Sequence, residues 1–382
     1  MPRVAVVHDW LDTWGGGENV LAEILRAYPQ ADLFALVDFL PDSTRQRLGG
    51  RHAHTSFLQR MPGARRRFRM LLPLFPRAIE SFDLRAYDLI LSSSHAVAKG
   101  VRTTASQLHI CYCHTPMRYA WDLREDYLAP RGLSRGWRGA VAHRVLDRLR
   151  DWDRATSTRV NHFIANSAFV RDRIARAYKR EATVIHPPVD TDYFVVSAAP
   201  KSLPAYYVTA SRHVPYKRID LIAAAFRDLP ADHLIIAGAG PETERIRAAA
   251  GPNVEFVGEV PRERLRTLFQ GAQAFVFAAE EDFGIVPVEA QACGTPVLAL
   301  RRGGAIETVR DADNAAAPTG LFFDEQSAAA IAAAVRRFEA LAPGILGAAC
   351  RANAMGFSTG RFHSQYTTFI DLAWREFAAG RG

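Results

Sequence analysis

Short apolar runs alternate with amphipathic, helix-forming stretches from one end of this chain to the other, and this alternation constrains the fold more than any other feature. The runs have the length and the branched or aromatic content of buried strands. They lie at 4–8, 33–37, 89–93, 109–113, 163–166, 206–210, 234–237, 254–257, 274–278 and 297–300. Strands separated by helices form parallel sheets with helices on both faces. The sequence therefore predicts an α/β fold.

The strand-like runs fall into two sets, on either side of a polar, proline-containing segment at 197–204. A chain of 382 residues is long enough for two domains that each bury a core. We therefore predict an N-terminal domain over 1–195 and a C-terminal domain over 196–361. In doubly wound sheets, ligands bind beyond the carboxyl ends of the strands, which places the expected site in a cleft between the domains.

Composition points to a cytoplasmic protein. The sequence has no run of eighteen or more uncharged apolar residues, so no transmembrane helix is expected. Residues 1–9 become polar too soon for a signal peptide and suit a first strand. The four cysteines form no C-x-x-C pair, which favours buried, reduced thiols. They are Cys111, Cys113, Cys293 and Cys350.

The formal net charge of +8 is compatible with nucleic acid, a membrane surface or phosphorylated substrates as partners. In the densest basic segment, 60–77, arginines alternate with large apolar residues, which is typical of a membrane interface. A solvated helix with an ordinary buried face explains the same pattern equally well. No nucleic-acid-binding motif accompanies the charge, so no nucleic-acid partner is expected.

A strand, a glycine turn and a helix start follow one another in the second half of the chain. The apolar run at 274–278 suits a buried strand, Pro287 suits a first helical turn, and Gly294 suits the helix end. Backbone N–H groups at such a helix start point outward with the positive end of the helix dipole behind them, and they bind phosphate groups. The groups expected to bind a diphosphate belong to Gly284, Ile285 and Val286.

Two glutamates flank this turn. Glu281 precedes it and Glu289 lies near the start of the helix. An ionised carboxylate accepts hydrogen bonds from vicinal hydroxyls, which favours one glutamate on a sugar and the other on a ribose. Spacing alone permits a simpler interpretation, in which Glu289 complements the helix dipole and Glu281 is a solvated loop charge.

The whole string from Glu281 to Val297, beginning E-D-F-G-I-V-P-V-E, closely resembles the signature of retaining nucleotide-sugar glycosyltransferases of family 4, also called glycosyl transferase group 1. The resemblance implies a GT-B fold, with two Rossmann-like doubly wound domains facing one another across a cleft. It also implies that Glu281 orients the donor sugar, that Glu289 binds the ribose and that Phe283 belongs to the donor site. In such enzymes a terminal helix crosses back onto the first domain, and the segment at about 362–382 resembles it.

Two cations follow the strand at 206–210. Arg212 and Lys217, five positions apart, resemble the family's arginine and lysine pattern. They are expected to stabilise the negative charge that a leaving nucleoside diphosphate gathers, without a metal ion or another cofactor. The alternative interpretation is that both residues are solvated loop cations without a role in the site.

Two further turns in the second half resemble parts of the family's donor site. Gly238 follows a strand, in the family's second glycine turn. Gly258 and Glu259 lie where backbone groups usually hold the nucleotide base. The triplet with Asp311 and Asp313 has the D-x-D form of a metal site, but it follows the donor motif, and we interpret it as a turn.

The first domain carries matching residues. Taken alone, the glycine run after the first strand is also compatible with a dinucleotide site. Gly16, Gly17 and Glu18 match the family's Gly-Gly-x-Glu loop, which lies against the donor phosphates and the acceptor. His114 follows the strand at 109–113. A lone histidine is more often structural, but the family has a histidine at the matching place that contacts the transferred sugar.

The phrase H-T-P-M-R-Y-A-W-D at 114–122 resembles bacterial mannosyltransferases of O-antigen and exopolysaccharide synthesis. Aromatic faces suit sugar rings, so part of this phrase is expected on the acceptor side. The acceptor-side residues are Arg118, Tyr119, Trp121 and Asp122, together with Glu18.

These observations predict a retaining, metal-independent transferase that moves a hexose, mannose from GDP-mannose, onto a glycan or lipid-linked glycan at the cytoplasmic membrane face. A UDP-sugar donor and a nucleotide-sugar 2-epimerase of the same fold are alternatives. A non-catalytic partner subunit that binds nucleotide sugar is the alternative outside enzymes.

Overall fold

In a computed structural model, the chain is described over residues 2–122, 124, 128, 135–198 and 205–380. It divides into two compact units, Met1–His186 with Phe362–Gly382, and Pro187–Arg361. Residues 199–204 of the segment in which we placed the domain boundary lie outside the described residues, as do 381 and 382 at the end of the predicted terminal helix.

The first unit is built on a seven-stranded parallel sheet in the order β3-β2-β1-β4-β5-β6-β7. Its central strands are buried along their whole length, as the apolar runs predict. The strands are β1 (Val4–His8), β2 (Asp32–Ala35), β3 (His54–Thr55), β4 (Leu89–Ser94), β5 (Leu108–Cys113), β6 (His162–Ala165) and β7 (Ala182–Val184).

Helices cover both faces of this sheet. They are α1 (Gly16–Ala27), α2 (Asp42–Arg45), α3 (Ala64–Arg67), α4 (Phe75–Ile79), α5 (Arg118–Trp121), α6 (Gly136–Thr156) and α7 (Ala168–Tyr178). Helix α1 contributes to one apolar cluster, and α4 and α6 contribute to a second cluster built on the alternate side chains of β1 and β4. The final helix, α15 (Thr359–Ala379), joins the α1 cluster through Phe362, Tyr366 and Ile370.

The second unit contains a six-stranded parallel sheet in the order β10-β9-β8-β11-β12-β13. Its strands are β8 (Tyr206–Ala210), β9 (His233–Ala237), β10 (Val254–Gly258), β11 (Phe275–Phe277), β12 (Val297–Leu300) and β13 (Gly320–Phe323). Its helices are α8 (Ile219–Arg227), α9 (Thr243–Ala249), α10 (Arg262–Gly271), α11 (Ile285–Ala292), α12 (Ala305–Thr308), α13 (Ala328–Leu341) and α14 (Gly347–Met355).

Strand order reverses once in each sheet, between β1 and β4 and between β8 and β11. At such a point the connections leaving the two neighbouring strands run to opposite faces, so a crevice opens beyond the strand ends. The predicted α/β fold of doubly wound, Rossmann-like units is therefore confirmed. The residues that follow these four strands are the ones to search for a ligand site.

The basic segment at 60–77 folds as α3, a 3-10 helix (Phe68–Leu74) and α4. Its inner face, including Phe68 and Phe75, is buried in the second apolar cluster of the first unit. Its outer face exposes the arginines together with Met70, which is 75% exposed, and Leu74. The segment thus has both the buried face and the basic, apolar outer face that the sequence predicts.

None of the helices in the described part of the chain combines the length and the apolar character that crossing a bilayer requires.

A buried histidine in the sheet generates a pH prediction. His109 on β5 is fully buried, its Nδ1–H donates to the Arg159 carbonyl at 3.1 Å, and its Nε2 accepts from the Ser92 hydroxyl at 2.8 Å. The pKa of His109 is lowered from 6.5 to about 4, mainly by burial. The hydrogen bond to the Arg159 carbonyl raises this pKa, but by less than burial lowers it.

The unfolded chain therefore takes up a proton near pH 6.5, whereas the folded chain does so only near pH 4, and stability falls as pH falls through this window. The loss from His109 alone is about 3 kcal/mol at its lower end. Urea unfolding at pH 7, 6 and 5 should show a smaller loss on acidification for His109→Asn than for the wild type. Equal losses would contradict the prediction.

Candidate active site

A single buried carboxylate joins the loops that follow β1 and β4. Asp9 Oδ2 accepts the backbone N–H groups of His95 at 2.6 Å and Ala96 at 3.0 Å, and Oδ1 accepts those of Val97 at 2.6 Å and Ala98 at 2.7 Å. His95 Nδ1 also lies 3.0 Å from Oδ2. Four backbone donors compensate the cost of burying this charge. Asp9 therefore fixes the backbone at the point where the strand order reverses.

Beside Asp9, the last residue of β1 starts a chain of buried polar contacts. His8 Nε2 lies 3.5 Å from Glu18 Oε1, and His8 Nδ1 lies 3.1 Å from the Ser93 hydroxyl oxygen. The same hydroxyl oxygen lies 2.8 Å from His114 Nε2. These contacts run from α1 through the ends of β1 and β4 to the residue after β5. They place predicted residues Glu18 and His114 in one network with two residues that we did not predict.

The histidines of this network have opposite electrostatic environments. Burial lowers the pKa of His8, but the Glu18 carboxylate 3.5 Å from its Nε2 and the charge of Asp9 outweigh burial, so the net pKa is raised. Burial and then the charges of His95 and His8 hold the pKa of His114 well below its ordinary value. Protonation is thus easier at His8, and much harder at His114, than at an ordinary histidine.

The glycine run forms the first turn of α1 beside this network. Gly15 N–H donates to Glu18 Oε2 at 2.8 Å, which fixes the glutamate at the helix start. A Cβ at Gly17 would lie 3.7 Å from His114 Nε2 and 3.8 Å from His8 Cε1. The structure therefore brings the predicted Gly16, Gly17 and Glu18 to the same place as His114.

The phrase after His114 is held by internal contacts. The Trp121 indole N–H donates to Asp153 Oδ2 at 2.8 Å, and Asp122 forms an ion pair with the buried Arg173. Asp153 is itself buried and pairs with Lys99 at 2.8 Å. Trp121 and Asp122 thus anchor α5 to α6 and α7 in addition to any contact with a ligand.

In the second unit, Lys217 and Glu281 form a direct ion pair. Lys217 ends the short 3-10 helix after β8, and Glu281 follows β11, so the pair joins the two loops at the reversal of strand order. Their side chains are 16% and 19% exposed, which leaves them accessible to a ligand. Arg212 is exposed on the same loop as Lys217.

The predicted diphosphate site coincides with the start of α11. Gly284 adopts a left-handed conformation (φ 87°) at the N-cap, and α11 begins at Ile285. Glu289 lies within α11 and is half-buried. The side chain of Phe283 is buried edge-on against Phe357, so its predicted donor contact would use its backbone.

Neighbouring glycines allow close approach of the other site loops. Gly238 donates its N–H to the Gly258 carbonyl at 2.7 Å, and a Cβ at Gly238 would lie 1.8 Å from the Ser211 carbonyl oxygen. The turn after β9 thus packs against the Arg212 loop. Glu259, predicted beside the base, is exposed after β10.

Both aspartates of the D-x-D triplet pair with arginines. Asp311 Oδ2 lies 2.8 Å from Arg301 Nη1, and Asp313 pairs with Arg337. Across the described ranges, no group of three or more His, Cys, Asp and Glu side chains is arranged as a metal site.

Four residues of this site are not among those predicted from the sequence: His8, Asp9, Ser93 and His95. Each lies at or directly beyond the carboxyl end of β1 or β4. The available signal was the change from apolar to polar residues at the ends of two predicted strands, H-D after V-A-V-V and S-S-S-H after L-I-L.

Two family models match the chain. The model described as Glycosyl transferases group 1 matches residues 196–354, and the model described as Glycosyltransferase Family 4 matches residues 14–193. Between them they include every predicted site residue.

Curated relatives match part of the chain. A GDP-mannose-dependent alpha-(1-6)-phosphatidylinositol monomannoside mannosyltransferase of Mycolicibacterium smegmatis is 34% identical over 197 residues, which cover 44% of this chain and 50% of that protein. A D-inositol 3-phosphate glycosyltransferase of Mycobacterium leprae is 34% identical over 158 residues, covering 36% of this chain and 37% of the relative. The match thus spans half or less of these relatives.

Solved structures match the whole fold. Sucrose-phosphate synthase from Thermosynechococcus elongatus aligns with a TM-score of 0.72 at 19% identity, over 98% of this chain and 100% of that one. Anabaena HepE in complex with UDP and glucose aligns with a TM-score of 0.68 at 18% identity, over 97% and 100%. At this identity, the likeness shows the fold alone.

A glycine beside Glu281 generates a stability prediction. Gly303 has φ 64°, and a Cβ there would lie 2.3 Å from the Glu281 carbonyl oxygen. Gly49 has a similar φ of 68°, but a Cβ there meets nothing within 4 Å. Gly49→Ala should therefore lower the free energy of unfolding by about 1 kcal/mol through backbone strain alone.

Gly303→Ala carries the same strain and also forces the Glu281 loop to move, so it should lose about 1–3 kcal/mol more. Urea unfolding of the two variants measures the difference. Equal losses of unfolding free energy in the two variants would show that the Glu281 loop moves at no cost, and would contradict the prediction.

Proposed function

This chain belongs to the family 4 glycosyltransferases, and we propose that it is a retaining hexosyltransferase that moves mannose from GDP-mannose to a glycan or lipid-linked glycan acceptor in cell-surface polysaccharide synthesis. One observation carries the proposal: the Lys217–Glu281 ion pair joins the loops after β8 and β11, with the start of α11 next in the chain. A cation, a carboxylate and free helix N–H groups are what a sugar diphosphate requires.

Charge stabilisation accounts for the proposed chemistry. As the bond between the sugar and the diphosphate breaks, negative charge develops on the leaving phosphate, where Lys217, Arg212 and the first N–H groups of α11 would stabilise it. Glu281 would orient the donor sugar, and Glu289 the ribose. Retention would follow from reaction on a single face of the sugar, with the departing phosphate helping to deprotonate the acceptor hydroxyl.

The first unit would supply the sugar and acceptor contacts. His114, neutral and close to Gly17, would donate or accept a hydrogen bond at a sugar hydroxyl. Glu18, Arg118 and Tyr119 would lie on the acceptor side. Trp121 and Asp122 would act there through the placement of α5, since both already bind residues of other helices.

The donor base has two candidates. The mycolicibacterial relative, which is a GDP-mannose-dependent mannosyltransferase, supports GDP-mannose. A UDP-sugar is the second candidate, because Anabaena HepE, which shares the fold, is described with UDP and glucose.

We also propose that the outer face of 60–77 contacts anionic membranes. It exposes six arginines around Met70 and Leu74, while its inner face is occupied by the core. Charge and apolar side chains on one face are the combination that binds at a lipid interface.

Site variants test the transferase. Lys217→Ala removes a cation from the leaving group, and Glu289→Ala removes the proposed ribose ligand, so each should lower turnover by at least about 100-fold without unfolding the protein. Turnover is measured as glycan formation from GDP-mannose and from UDP-glucose. Lys179→Ala, an exposed lysine outside the site, is the control and should remain within twofold.

Unchanged glycan formation in Lys217→Ala or Glu289→Ala would contradict these roles. Wild-type donor consumption without glycan would favour the 2-epimerase. Absence of both donor consumption and glycan formation in the wild type would favour a non-catalytic partner subunit.

Vesicle binding tests the membrane contact. Replacing Arg65, Arg66 and Arg67 together by Gln should weaken co-flotation with vesicles containing phosphatidylserine about 100-fold, since each arginine contributes roughly 1 kcal/mol at an anionic surface. Neutral phosphatidylcholine vesicles should bind weakly in all cases.

A control variant removes the same charge elsewhere, through Gln at the exposed Arg245, Arg264 and Arg336. Equal losses in the two triple variants would indicate attraction by net charge and would contradict a specific surface at 60–77.

A further inference from the structure

The proposed sugar-binding histidine is contacted through one nitrogen by a residue with no role in the chemistry above. Ser93 lies between His8 Nδ1 at 3.1 Å and His114 Nε2 at 2.8 Å, on a strand that is buried throughout. A serine hydroxyl has one hydrogen to donate and two lone pairs that accept. If one neighbour donates to Ser93, the hydroxyl hydrogen is free to point at the other.

The charges around His8 decide this direction. Glu18 on α1 lies 3.5 Å from His8 Nε2, and Asp9 is the next residue in the chain. The titratable rings that face His8 are His95, with ring centroids 6.1 Å apart, and His114 beyond Ser93. Two buried carboxylates against these rings favour a cationic His8, and an imidazolium can only donate.

We propose that His8 and Ser93 are positioning residues that hold His114 as the tautomer protonated on Nδ1. His8 Nδ1–H donates to the Ser93 oxygen, and the Ser93 hydroxyl donates to His114 Nε2. No proton changes place in this arrangement. Its effect is to leave Nδ1–H as the polar group that His114 can offer to a ligand.

This assignment deepens the proposed function and rests on it for the identity of the ligand. Held in this way, His114 meets the sugar as a hydrogen-bond donor, so it recognises an oxygen acceptor such as a hydroxyl oxygen of the hexose. A ring free to adopt either tautomer would spend part of its time with an acceptor facing the sugar. Fixing the tautomer in advance removes the loss of binding affinity that the second tautomer would cause.

The neighbouring residue on β4 provides a matched control. Ser92 points to the opposite face of the sheet and bonds His109 Nε2 at 2.8 Å, so it forms the same type of buried serine–histidine contact away from the site. Ser92→Ala and Ser93→Ala should therefore have similar effects on stability. Only Ser93→Ala should affect His114.

The direct test is nitrogen NMR of the full-length protein labelled with 15N-histidine, with the His114 signals assigned from their loss in His114→Gln. In the wild type and in Ser92→Ala, His114 Nδ1 should be protonated and Nε2 bare. In Ser93→Ala, a population protonated on Nε2 should appear, and Ser93→Thr, which keeps the hydroxyl, should restore the wild-type pattern. A wild-type ring protonated on Nε2, or no change in Ser93→Ala, would overturn the proposal.

Kinetics provide a second readout. Turnover with the accepted nucleotide sugar should fall about tenfold in Ser93→Ala, recover in Ser93→Thr and stay within twofold in Ser92→Ala. An equal fall in Ser92→Ala and Ser93→Ala would indicate a structural effect and would contradict a positioning role. Should the wild type transfer no sugar, the proposed function fails, whereas the NMR result still decides the tautomer.

Discussion

The reversal of strand order in each sheet is the constraint on which the rest of the structure depends. Parallel strands joined by helices must send their connections to one face or the other, and the two central strands send them to opposite faces. The residues after β1 and β4, and after β8 and β11, are therefore the ones left open to a ligand. Arg212, Lys217, Glu281 and the start of α11 follow from that placement, whereas His114 lies beyond β5, one strand further along the first sheet.

The two units stabilise these open ends in different ways. In the first, Asp9 is fully buried and takes four backbone hydrogen bonds, so its charge serves to fix a loop and is unavailable to a ligand. In the second, Lys217 and Glu281 pair with each other at partial exposure. A partly exposed pair contributes little to stability and can exchange its partner for a bound phosphate or sugar at small cost.

Much of this arrangement could be predicted from the sequence, because it depends on local patterns. The buried central strands, the glycine turn before α11 and the position of His114 after β5 all follow from runs of neighbouring residues. The prediction omitted β3, β7 and β13: β3 and β7 have two and three residues and little apolar signal, whereas β13 is apolar and buried but only four residues long.

Contacts between distant residues could not be predicted. The Trp121 indole N–H bonds Asp153, 32 positions away, and Ser93 lies between His8 on β1 and His114, the residue after β5. Such contacts depend on the register of the sheet, β1 against β4 and β4 against β5, which no local pattern specifies. The sequence therefore indicated the residues proposed to bind a ligand better than the residues that hold them in place.

The most direct test of the account is calorimetric titration of the purified protein with GDP, GDP-mannose, UDP and UDP-glucose, first in a chelator and then with magnesium. Because Arg212, Lys217 and the start of α11 would supply the positive charge, GDP and GDP-mannose should bind in the chelator, and magnesium should add little. Binding that requires magnesium, or the absence of binding by any of the four ligands, would contradict the central claim. A preference for the uridine ligands would contradict the assignment of mannose.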